Sequence, residues 1–72
     1  MTRETQAQLL RAVSDASGTY RAFDASLPGL MCHQRTVCLM ARGDAATLLQ
    51  RAVYLATMAG LSAEAIEKAK QQ

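Results

Sequence analysis

Leu9, Val13, Ala16, Tyr20, Phe23 and Leu27 recur at spacings of 4, 3, 4, 3 and 4 residues. Side chains at those intervals share one narrow stripe of an α-helix, and no strand would bring them to one face. The stripe runs through Gly18 without losing its period, although glycine inside a helix costs about 1 kcal/mol relative to alanine. A break at Gly18 would have no reason to preserve the spacing, so the pattern predicts one long helix from Arg3 to Ser26. Pro28-Gly29 then ends it, because proline restricts the residue before it and glycine frees the turn.

Residues 30–42 carry apolar side chains on nearly every face of a helix, and a short helix of that kind belongs in the centre of a core or an interface. Gly43 is suited to a helix C-cap and Asp44 to the next N-cap, which predicts a break there. A third helix follows, with Leu48, Ala52, Leu55 and Ala59 as its inward stripe, widened by Leu49, Val53 and Ala56. Tyr54 and Met58 fall outside that arc, beside Arg51. Gly60 closes this helix, Leu61 supplies the apolar contact usual after such a cap, and Ser62 is placed to accept hydrogen bonds from the free amides of a last helix, residues 63–71. In that helix Ile66 is the large apolar anchor, supported by Ala63 and Ala69. The expected fold is all-α: one domain over residues 1–72, a small bundle of three to four helices with a long N-terminal helix, a short central helix and a C-terminal helix-turn-helix-like corner.

A chain of 72 residues buries only about 60% of the surface its unfolded form exposes. Its aromatic residues are Tyr20, Phe23 and Tyr54, and much of its apolar content is alanine, which favours helix but buries little area. Small side chains let helices approach closely, so a second copy of the chain is the expected source of further burial, and a homodimer is expected. The net charge of +2 is spread along the chain with no run of either sign, as on a solvated surface. Met1 to Thr5 lead into no apolar stretch of the signal-peptide kind, and no segment approaches the length of a membrane span, so a cytoplasmic protein without membrane contact is expected. Cys32 and Cys38, on one helix, would lie roughly 9 Å apart along its axis and on different faces. They are read as free thiols of a reducing compartment.

The corner carries a resemblance. Ala56, Gly60, Leu61 and Ile66 stand at the small, turn, apolar and anchor positions of the helix-turn-helix of DNA-binding proteins, with Leu55 and Ala59 in the neighbouring buried sites. The segment 52–71 therefore resembles that motif. The resemblance implies a dimeric DNA-binding regulator, with Ser62, Lys68 and Lys70 as the nucleic-acid contacts and the stripe Leu9 to Leu27 as the dimer seam. The outward positions argue against it: Ser62, Ala63, Glu64 and Glu67 stand where bases and phosphates would be met, and two carboxylates there repel phosphate.

Other chemistry finds little support. His33, Cys32, Cys38, Met31 and Met40 are soft ligands, but neighbours on a helix point about 100° apart and no second cysteine or histidine pair completes a site. No metal or cofactor is expected. No Cys-His pair converges, no glycine-rich phosphate loop occurs, and no carboxylate pair stands in an apolar setting, so catalysis is not expected. Arg42-Gly43-Asp44 reads as cap, turn and cap.

The leading expectation is a non-enzymatic protein-interaction module: a small adaptor, a regulatory subunit, or an inhibitor of the kind that phages and mobile elements encode. Its partner is another protein, met through Tyr54, Met58 and Arg51, residue types that favour interfaces, together with Tyr20 and Phe23 of the long stripe. DNA binding through residues 52–71 is the alternative.

Overall fold

The computed structural model describes residues 2–71. Among them are three α-helices and no strand: α1, Arg3–Ser26; α2, Cys32–Met58; and α3, Ala63–Lys70. A 3-10 turn, Leu27–Gly29, joins the first two. α1 and α2 run antiparallel as a hairpin, and α3 folds back over the open end, giving a rod of 46 × 17 × 17 Å.

α1 begins where the Thr2 hydroxyl accepts from the Thr5 amide at 3.1 Å, satisfying one of the donors left free at a helix start. It continues unbroken through Gly18, as the stripe predicts. Leu27 closes it and is buried at the bend, while the Leu30 amide donates back to the Leu27 carbonyl at 3.1 Å.

The break expected at Gly43-Asp44 does not occur. α2 is one helix of 27 residues, and the short central helix and the next are its two halves. The reason is register: Cys38, Ala45 and Ala52 are seven apart, Ala56 follows four later, and all four are buried. That line faces α1 along its whole length only if the helix is continuous, which offsets the cost of about 1 kcal/mol of a glycine in mid-helix. Arg42 and Asp44 are therefore not caps. Arg42 instead pairs with Asp24 of α1 at 2.7 Å, a partly exposed bridge that contributes about 1 kcal/mol at most.

The buried line also corrects the expected inward stripe. Leu48 and Leu55 are exposed, at 62% and 47%, and alanines take the place against α1. Two helices meeting over alanine come close together, and larger side chains are displaced to the flanks of the contact. For the same reason residues 30–42 do not form a core element. Cys38 is buried, but Met31, Val37, Leu39 and Met40 lie open, because a helix in a two-helix hairpin has one covered side.

The core lies at the open end, where Val13 of α1, Ala52 and Ala56 of α2, and Ile66 and Ala69 of α3 are buried together. The Gly60 corner is built as its residues predict. Gly60 takes φ +89°, a conformation open to glycine. The Leu61 amide donates to the Ala56 carbonyl and the Gly60 amide to the Thr57 carbonyl, the paired bonds of a Schellman cap. Ser62 then caps α3, its hydroxyl accepting from the Ala65 amide. Ala63 differs from expectation: it is exposed and leaves Ile66 and Ala69 to anchor the helix.

Buried Ser17 fastens the far end of α3, its hydroxyl donating to the Lys70 carbonyl at 2.7 Å. Carbonyls of a last helical turn have no partner within the helix. Ser17→Ala is expected to lower stability by about 1 kcal/mol and to reduce hydrogen-exchange protection in α3 before α1 or α2. Equal loss across all three helices, or none, would mean that the bond does not hold α3 in place.

Candidate functional site

One side of α2 faces α1, and the rest of its circumference decides what the rod presents to its surroundings. Val37, Met40, Asp44, Leu48, Arg51, Leu55 and Met58 follow at spacings of 3, 4, 4, 3, 4 and 3. They form one stripe along the helix. Every one is exposed, from Leu55 at 47% to Met58 at 69% among the apolar members. Tyr54, 62% exposed, stands beside the stripe four residues before Met58. On its inner edge the stripe borders a shallow groove, where Leu48, Arg51 and Leu55 of α2 meet Ala12, Ala16 and Thr19 of α1.

The exposure is large for the size of the core. Among the described residues the one large side chain fully buried is that of Val13, and four of the eight buried apolar residues are alanines. Exposed apolar residues scattered singly are normal on a protein surface, but a contiguous run marks a contact site. The charges within the run are few. Asp44 and Arg51 form no ion pair or side-chain hydrogen bond among the described residues.

The expected interface residues separate into two groups. Arg51, Tyr54 and Met58 are exposed and adjacent on α2, which brings them together as a surface. Tyr20 and Phe23 are half-buried at the other end of the hairpin. The Phe23 carbonyl accepts from the Cys38 thiol at 3.4 Å, so Phe23 lies level with Cys38, roughly 24 Å along α2 from Tyr54. The stripe Leu9 to Leu27 is turned toward α2 in the same chain, with Val13 and Leu27 buried outright. Val37, Met40, Leu48 and Leu55 were not legible as surface while Gly43-Asp44 was read as a break. Carrying the 3-4 period across Gly43 would have shown the run.

At the corner, the Ser62 hydroxyl is engaged in capping α3, and Lys70 pairs with Glu67 at 3.1 Å. Lys68 is exposed and borders a second groove, between α1 and α3, that Arg11 also lines. Glu64 and Glu67 point to solvent. Cys38 is buried and Cys32 exposed, and both are free thiols. No group of three or more histidine, cysteine or acidic side chains that could hold a metal ion occurs among the described residues. No helix among them is long and apolar enough to cross a membrane.

No family model, no curated protein and no solved structure matches the chain.

Proposed function

We propose that this chain is a non-enzymatic protein-interaction module, a small cytoplasmic adaptor, inhibitor or regulatory subunit that works as a homodimer and associates through the outer face of α2. The single observation that supports this reading is the exposed run Val37, Met40, Leu48, Leu55 and Met58, flanked by Tyr54 and Arg51, on a fold in which half of the buried apolar residues are alanine. Methionine, aromatic residues and arginine are the types enriched where proteins meet, and a helix face with anchors every three to four residues is a common mode of recognition.

The test is association in an extract of the native host, read by cross-linking and affinity purification of the tagged chain with protein and nucleic acid both analysed. Tyr54→Ala with Met58→Ala is expected to leave far-UV circular dichroism and the unfolding midpoint at high dilution unchanged, since both side chains are exposed in the single chain, and to weaken retention of the bound protein at least about tenfold. Undiminished retention by the double variant would remove this face from the reading.

One observation favours a second reading, a helix-turn-helix DNA-binding regulator using residues 52–71. Arg11 and Lys68, distant in sequence, border the same groove beside α3 and together make a small cationic site. Glu64 and Glu67 on the exposed side of α3 oppose phosphate, which ranks this reading second. Retardation of duplex DNA at low salt that is lost on Lys68→Ala would reverse the order.

A further inference from the structure

We propose that the stripe on α2 is covered by a second copy of this chain, lying antiparallel about a two-fold axis that passes between Thr47 and Leu48, so that two hairpins form a four-helix bundle. This deepens the interaction reading above and rests on it: it names the occupant of the same face.

The charges choose the occupant and its direction. Asp44 and Arg51 are the two charged members of the run Val37 to Met58, and among the described residues neither has an ion-pair partner in its own chain. They lie at equal distances on either side of a point between Thr47 and Leu48. An antiparallel copy centred there brings Asp44 of each chain opposite Arg51 of the other, making two equivalent ion pairs. A parallel copy would set Asp44 against Asp44 and Arg51 against Arg51, like charges in an apolar seam.

The apolar members obey the same centre. Met40 and Leu55 are equidistant from it, as are Val37 and Met58, so the register that pairs the charges also sets Met40 against Leu55 and Val37 against Met58 of the second copy. Leu48, beside the axis, meets its own equivalent. Spacings of three and four are those of helices that pack side by side along their length. The small residues of α1 beside the stripe, Ala12, Ala16 and Thr19, leave a groove along Leu48, Arg51 and Leu55 that faces Leu48, Asp44 and Met40 of the second copy in this register.

The area agrees with this occupant. From Val37 to Met58 the stripe is about 32 Å long, and the rod is 17 Å wide. A strip of that size covers roughly 550 Å² on each copy, or about 1,100 Å² for the pair, just above the size at which specific association becomes plausible. Three further titratable groups border the face: His33, which continues the stripe one turn toward the N-terminus of α2, Tyr54 beside the stripe, and Asp15 of α1, which lines the groove with Arg51. Because Asp15 also feels a charge change at Arg51, the exchange of both charges decides the matter and neither single change does.

The experiment is sedimentation velocity on the purified chain over a range of concentrations. The wild type is expected to sediment as a dimer. Asp44→Arg and Arg51→Asp, each alone, put like charges at both equivalent contacts and are expected to raise the dissociation constant about tenfold or more. The exchanged variant carrying both changes is expected to return to within about threefold of wild type, since it restores opposite charges in the same register. A second measurement reads the axis directly: Leu48→Cys in a Cys32→Ser background is expected to form a disulfide-linked dimer under mild oxidation, as a residue beside a two-fold axis does. A monomeric wild type overturns the proposal, as does a double variant no better than the single ones. If the chain is monomeric but Tyr54 and Met58 still govern retention of a different protein, self-association fails and the interaction reading survives. If it is monomeric and retains nothing, both fail.

Discussion

Ile66→Ala is expected to lower the free energy of unfolding by about 3 kcal/mol, the largest single loss in the chain. Ile66 is 4% exposed and sits among Val13, Ala52, Ala56 and Ala69. Three of those four buried neighbours are alanines, which have no side-chain freedom with which to fill the space left behind, so the cavity closes only as far as the half-buried Leu9, Leu10, Leu49, Val53 and Leu61 around the cluster shift into it. Native stabilities of about 5–15 kcal/mol make this a large fraction of the whole. The loss is concentrated in one element, because Ile66 is the one large apolar residue of α3. Urea unfolding is expected to show a lower midpoint and also a smaller denaturant dependence, since α3 would already be partly detached before the main transition. A loss below about 1 kcal/mol would mean that the cap at Gly60 and the Ser17 bond, and not the anchor, hold α3 in place.

Leu48→Glu together with Leu55→Glu is expected to separate folding from association. Both leucines are exposed in the single chain, so helix content and melting temperature measured under dilute conditions should be nearly those of the wild type. In the proposed seam each glutamate would be carried into apolar surroundings, where it meets its equivalent or an aliphatic side chain of the second copy and competes with Asp44 for the one arginine of the run. The dissociation constant is expected to rise more than about 100-fold, equivalent to roughly 3 kcal/mol. Equilibrium sedimentation measures this, with circular dichroism of the same samples as the folding control. An unchanged dissociation constant would place the contact between copies elsewhere. A lowered melting temperature at concentrations where the wild type is monomeric would assign the leucines to the fold of the single chain.

The two variants divide the apolar residues of this chain by purpose, and that division is only partly legible in the amino-acid sequence. The period of the stripe Leu9 to Leu27 was strong enough to carry α1 through Gly18, and the corner Gly60-Leu61-Ser62 could be read bond by bond. Both depend on local physics: the pitch of a helix, the positive φ open to glycine, and a hydroxyl placed to cap free amides. Gly43-Asp44 offered the same local signals and misled, because the line Cys38, Ala45, Ala52 and Ala56 has value only against α1, which is distant in sequence. Of the expected interface residues, Arg51, Tyr54 and Met58 are exposed together on α2. Tyr20 and Phe23 are drawn toward the neighbouring helix, since an aromatic on a covered stripe looks the same in sequence as one on an open stripe.

The helical class, the extent of α1 and the bonding of the corner follow from local sequence, because each is set by residues within a few positions of one another. The continuity of α2, and the choice of its covered side, come from packing against α1. Those outcomes depend on how closely two distant helices approach, and alanine allowed an approach that moved Leu48 and Leu55 outward. The apolar face available for contact is the one that this packing left open.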